Sequence, residues 1–251
     1  MESSSTCKEM TSSTIGAVFV VSGLLEIIIP LALGFYITSR FGTSWRTWLV
    51  GGTMFIVSLI RVPLNSYLLQ LVLSAPTSPL IYSLFVIIPS ITAGIFEEVA
   101  RFVGLRFLIK DESYEKGLAY GAGHGGIESI LVVGLNVLSV GVILLTNPEA
   151  LPPLQLNAII ATPAYLPLVG IYERIMAIII QISFSIMVLQ SIRRKNFNYL
   201  IIAIGIHAIL DYLAVSLLNY GILYSEVMIT GFALGLGFWS YNRLKEEEII
   251  D

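Results

Sequence analysis

Three short segments hold most of the side chains able to do chemistry: residues 94–101 read GIFEEVAR, 121–129 read GAGHGGIES and 205–212 read GIHAILDY. They supply Glu97, Glu98 and Arg101, then His124 and Glu128, then His207 and Asp211, and they contain both histidines of the chain. Residues four apart share a helix face, so Glu97 with Arg101, His124 with Glu128 and His207 with Asp211 are each expected to stack as a polar pair. Water attack on an amide needs a general base that works near neutral pH, and a carboxylic acid buried beside a second one is a general way to make it. Arg101 would hold one of the two glutamates ionised, and a histidine N–H aimed at a developing oxyanion could supply several kcal/mol.

The same residues are also a donor set. Two histidines with several carboxylates could ligate zinc or another divalent metal, and His-x-x-x-Glu and His-x-x-x-Asp both place ligands on one helix face. An ion held by His124, Glu128, His207 and Asp211, with Glu97 or Glu98 as base, would generate the nucleophile by acidifying its bound water. The HExxH signature is absent. Two readings from other classes use the same groups: a proton- or ion-coupled transporter, since proton relays are built from buried acids and histidines, and a non-catalytic membrane scaffold or immunity protein.

These segments must be positioned by membrane helices. The chain of 251 residues is 56% hydrophobic and only 12% charged, with a mean hydropathy of +0.85, far from the roughly 25% charged residues of a soluble domain. Fourteen basic against 17 acidic residues give a net charge of −3, which leaves no basic field and excludes nucleic-acid partners. The single Cys7 forms no internal disulfide and belongs to no cysteine-based zinc motif. Apolar runs at about 15–38, 47–73, 79–109, 117–146, 170–192, 198–219 and 222–243 each reach the ~20 residues a helix needs to cross hydrocarbon. The expected fold is an all-α polytopic bundle of about seven transmembrane helices forming one domain over residues 1–251. The first run is too long for a signal-peptide core, so it reads as a retained span, and the protein is expected to be integral to a prokaryotic cell membrane.

Lys and Arg fall in alternate loops, with Arg40 and Arg46, then Arg106, Lys110 and Lys116, then Arg193, Arg194 and Lys195, then Arg243 and Lys245 on one side, and only Lys8 on the other. By the positive-inside rule the N-terminus is expected outside and the C-terminus in the cytoplasm. Counted from the cytoplasmic helix ends, His124 lies about 10 Å deep, Arg101 and His207 about 14 Å, and Glu97 and Asp211 about 20 Å, so the three segments can meet in one slab. The glycines around His124, with Gly121 and Gly125 as a GxxxG pair, would let a neighbouring backbone approach closely.

These residues resemble the CAAX-protease and bacteriocin-processing superfamily of glutamate-type intramembrane proteases, and most closely its YhfC-like branch of membrane peptidases. EEVAR is similar to that superfamily's paired-glutamate motif with a following arginine, GAGHGG supplies its first histidine and HAILD its final His-x-x-x-Asn/Asp. Two features depart from the better-known pattern: only Val99 and Ala100 separate the pair from Arg101 where EExxxR is usual, and Asp211 stands where Asn is common. The resemblance implies an intramembrane endopeptidase without a cofactor, acting on a membrane protein or lipid-anchored peptide. Glu97 or Glu98 with His124 would activate water, and His207 with Asp211 would hold the oxyanion.

Outside the three segments, Glu26 and Arg61 fall at similar depth and are expected to form an interhelical ion pair. Glu173 and Arg174 open the fifth span, while Gln181 lies deeper, within reach of the cavity. Trp45, Trp48, Trp239 and Tyr241 are expected as interface anchors, and residues 246–248 as a solvated acidic tail.

Overall fold

The structure, a computed structural model, describes residues 2–73 and 79–246, leaving aside the side chains of 2–12 and 79–82. The connection at 74–78 between the second and third expected spans, most of the acidic tail and the side chains of Cys7 and Lys8 therefore lie outside the described residues. The helices are α1 (Glu2–Arg40), α2 (Trp45–Ser58), α3 (Arg61–Leu73), α4 (Pro79–Val103), α5 (Tyr114–Glu128), α6 (Leu135–Thr146), α7 (Pro153–Ile160), α8 (Leu166–Arg193), α9 (Asn198–Leu217) and α10 (Ile222–Glu246). No strand occurs among the described residues. Among the described residues seven stretches are long and apolar enough to cross a bilayer: Ser13–Arg40, Trp45–Leu73, Ser83–Ile109, Tyr114–Thr146, Leu166–Arg193, Asn198–Tyr220 and Ile222–Glu246. The protein is an integral membrane protein of helical class, since hydrocarbon leaves the backbone no partner but itself.

Two of these stretches are interrupted in ways the sequence explains. Between α2 and α3, Pro63 has no N–H to offer the Leu59 carbonyl, and Val62 N–H takes that acceptor instead at 2.9 Å. The helix tightens there and restarts at Arg61, as expected where proline removes an i to i−4 bond. Between α5 and α6, residues Ser129–Gly134 form a π-helical turn, and a second one, Gly104–Ile109, ends the third span. Such turns insert a residue into the helical ladder and rotate the side chains beyond it about the helix axis. In the connection to α5, the Ser113 N–H bonds Asp111 at 3.0 Å and holds that carboxyl below its ordinary range.

The chain divides into two compact units, Met1–Ala32 with Glu128–Ile175, and Leu33–Ile127 with Met176–Asp251. In the first, α1 packs on the second half of the fourth span: a Cβ on Gly23 would strike the Leu138 backbone, and one on Gly141 would strike Val20. Arg174 bonds Glu128 at 3.5 Å and also Glu173. The fifth span starts at Leu166, so Glu173 and Arg174 lie about two turns inside α8 rather than at its opening. Glu26 is buried there, and neither of its carboxylate oxygens has a hydrogen-bond partner. Arg61, the expected partner of Glu26, pairs with Glu97 instead at 2.7 Å.

In the second unit α4 packs on α2, α3 and α9, and α9 packs on α10. The α5 segment threads between α2 and α8 on glycines. A Cβ on Gly51 would fall on the Tyr120 carbonyl, one on Gly123 on the Trp48 carbonyl, and those on Gly121 and Gly125 on Ile182 and Gln181. Backbone contact this close needs glycine, and in a membrane such contact is a main source of helix association. Trp48 is therefore buried at 2% exposure, a core residue rather than an interface anchor, whereas Trp45 is 39% exposed. From Ile178 onward α8 is buried on nearly every side, including Gln181, Ser183, Ser185, Gln190 and Ser191.

Gly123→Ala should lower the thermal midpoint of the detergent-solubilised protein by an amount equivalent to about 1–3 kcal/mol, because the new methyl has only rigid backbone to displace. Gly205→Ala, where a Cβ meets nothing within 4 Å, should not. Helical circular dichroism on heating distinguishes the two, and equal midpoints would contradict the packing described.

Candidate active site

Glu97 and Glu98 are consecutive on α4, so their side chains leave the helix about 100° apart and meet different neighbours. Both are buried, at 3% and 0% exposure. Arg101, one turn further on, binds Glu98 through Nε at 2.9 Å and through a second N–H at 3.3 Å. The expected i, i+4 pair with Glu97 is thus replaced by an i, i+3 pair with Glu98. The remaining Arg101 donors cross to α8, reaching the Gln181 carbonyl at 3.0 Å, Ser185 Oγ at 2.6 Å and the Gln181 side-chain oxygen. All five guanidinium N–H groups are used, which makes this fully buried cation tolerable.

Glu98 passes this order to α9. Its Oε1 accepts from His207 Nδ1 at 2.7 Å, and the His207 ring lies flat on Phe184, with centroids 4.9 Å apart and planes 6° apart. An imidazole that donates from Nδ1 to a carboxylate presents its Nε2 lone pair on the other side. Here Nε2 faces Glu97 Oε2 and Asp211 Oδ2, each at 3.8 Å.

Glu97 is the centre of the second cluster. Arg61, at the start of α3, donates to Oε1 at 2.7 Å. Oε2 faces His124 Nε2 at 3.3 Å and the Gln181 amide nitrogen at 3.4 Å, in addition to His207. His124 is held edge-on by Phe55, with ring centroids 5.4 Å apart, and its Nδ1 is buried with no hydrogen-bond partner. Glu128, expected to pair with His124, bonds Arg174 at 3.5 Å.

The structure therefore brings Glu97, Glu98, Arg101, His124, His207 and Asp211 together and commits Glu128 elsewhere. It adds Arg61, Gln181, Ser185 and Phe184. Gln181 is signalled by its depth and Arg61 by being a lone cation within an apolar span, but nothing in sequence spacing assigns either to a partner. Most of the cluster is buried; only Arg61 at 18% and Asp211 at 34% side-chain exposure are partly accessible.

Among the described residues no group of three or more His, Cys, Asp or Glu side chains is arranged so as to hold a metal ion. The donor atoms are nevertheless of the right kind and close together. Ligands at 2.0–2.1 Å from a tetrahedral ion are separated by about 3.3–3.4 Å, and the separations around Glu97 Oε2 are 3.3 Å to His124 and 3.8 Å to His207. A neutral His207 Nε2 lone pair facing two carboxylate oxygens is repulsive unless a cation or a proton sits between them. His124, His207 and Glu97 thus have the donor chemistry a divalent ion needs without being closed around one, and Glu128, expected among the ligands, bonds Arg174.

Arg101→Leu would strand a buried Glu98 carboxylate and should destabilise the protein by about 3–5 kcal/mol. The Arg101→Leu/Glu98→Leu double variant should recover much of that loss in the same thermal assay. Additive losses would contradict the pairing of Glu98 with Arg101.

A family model described as YhfC intramembrane metalloprotease matches residues 25–233, which contain every one of these site residues. The uncharacterized membrane protein YhfC of Bacillus subtilis (strain 168) is 32% identical over 226 residues, covering 82% of this chain and 86% of that protein. No solved structure matches the chain. With its glutamates and histidines buried together inside a membrane bundle, this chain belongs to the YhfC family of membrane proteases.

Proposed function

We propose that the chain is a metal-dependent intramembrane endopeptidase in which His124, His207 and Glu97 hold the ion and Asp211 handles the proton. The observation that carries this reading is the orientation of His207: its Nδ1 is committed to Glu98 and its Nε2 is turned toward Glu97 Oε2. A carboxylate behind the far nitrogen of a ligating histidine is the usual support of a catalytic metal, and two histidines with one glutamate leave a coordination position for water. The family description is of a metalloprotease and supports the same choice over the purely glutamate-driven one.

A divalent ion such as zinc, when bound there, supplies a Lewis acid and a water acidic enough to attack at neutral pH. The chain's own contribution is order. Arg101 fixes Glu98, Glu98 fixes the His207 tautomer, and Arg61 holds Oε1 of Glu97 so that Oε2 stays turned to the imidazoles. Asp211, on the exposed side, accepts the proton of the attacking water and returns it to the departing amine nitrogen. The substrate class is a membrane-embedded protein or a lipid-anchored peptide. Membership of the wider CAAX-protease superfamily and an orientation with the N-terminus outside belong to this proposal, carried by motif order and by the distribution of Lys and Arg.

One observation favours a second reading. Glu97 and His124 at 3.3 Å already form a carboxylate–imidazole pair, in which Glu97 itself could take the water's proton without an ion. Purified protein in liposomes, incubated with single-span peptides carrying a fluorophore and a quencher, separates the two. Cleavage should stop with a zinc chelator and return on adding back the ion, and Glu97→Gln, His124→Ala and His207→Ala should be inactive in both conditions. Full cleavage in chelator would move the reaction to the Glu97–His124 mechanism.

A further inference from the structure

The resemblance implies that His207 binds the oxyanion, but the surroundings of that ring do not leave it free to donate. Nδ1 is spent on Glu98, and Nε2 faces two carboxylate oxygens. Arg101 has no donor left, and the Gln181 amide nitrogen is turned to Glu97. Hydrolysis still produces an oxyanion, and donors placed where that charge develops are commonly the largest single contribution to the rate.

We propose that Arg61 is the oxyanion-binding residue of this site, a catalytic group that no motif in the sequence identifies; the inference rests on the hydrolase reading above. One of its N–H groups is bound to Glu97 Oε1, while its Nε is buried with no hydrogen-bond partner. A guanidinium carries five donors in a fixed fork, so an arm on Glu97 leaves others for a second oxygen. Arg61 and Asp211 are also the two site residues whose side chains are partly exposed, so a peptide bond entering the site can meet a donor and an acceptor.

The helix break gives the reason for its place. Because Pro63 ends the ladder of α2 and α3 restarts at Arg61, the residue sits in a first helical turn, where its side chain reaches Glu97 on α4. In the addition step the water oxygen bonds to the carbonyl carbon, the C=O π pair moves to oxygen and is held by the spare Arg61 N–H groups, and the water's proton goes to Asp211. In the collapse step the oxygen pair re-forms the carbonyl, the C–N bond breaks with its electrons on nitrogen, and Asp211 returns the proton to that nitrogen.

Arg61→Lys is the informative variant, because it keeps a cation for Glu97 and loses the forked donors. The probe is a pair of single-span Leu/Ala-rich peptides in liposomes, one with an ordinary amide and one with a phosphinate in its place, which mimics the tetrahedral anion. The wild type should bind the phosphinate more tightly than the amide, and Arg61→Lys should lose about 10²-fold of phosphinate affinity with amide affinity and thermal midpoint unchanged. Equal preference for phosphinate in the wild type and in Arg61→Lys would overturn the role of Arg61 alone. No preference in the wild type would overturn the hydrolase reading along with it.

Discussion

Two carboxylates on consecutive residues of a membrane helix diverge by about 100°. Left unpaired in a bilayer each would cost at least a few kcal/mol, and here each meets a different arginine. Glu98 finds Arg101 on its own helix and Glu97 finds Arg61 at the start of α3. Much of the second unit depends on this division. Arg101 cannot satisfy its remaining donors without Gln181 and Ser185, which brings α8 against α4. Glu98 has an oxygen left for His207, which brings α9. Glu98 is thereby spent on Arg101 and His207, and Glu97 is the one left facing two imidazoles.

That arrangement needs a histidine delivered from a fourth direction, and glycine is what allows it. The α5 backbone is packed on one side against Trp48 and Gly51 and on the other against Ile178 to Ser185, closer than any residue with a Cβ would permit. His124 rides on this segment, braced by Phe55, with Nε2 set toward Glu97. The same glycines that look like a helix-association motif also fix how far His124 stands from α4.

The number of membrane helices and the gathering of the three polar segments are legible in the sequence, because hydropathy and depth along a helix depend only on chain position. Partner choice is not. Spacing rules rank Arg101 with Glu97 and His124 with Glu128, but the pairs that form depend on how each helix is rotated and on which cation lies across the interface. Arg61 and Glu26 share a depth, yet depth says nothing about lateral position, and Arg61 goes to Glu97. Trp48 reads as an interface anchor from its place near a span end. It is core because Gly34 and Gly123 open space for it, a fact carried by two other helices.

The central claim is that Glu97, His124 and His207 converge on one divalent ion, and elemental analysis of protein purified from membranes without chelator tests it most directly. The wild type should carry about one divalent ion per chain, Glu97→Gln, His124→Ala and His207→Ala should lose it while remaining folded, and Glu128→Gln should retain it. An ion kept by all three site variants and lost in Glu128→Gln would contradict the assignment.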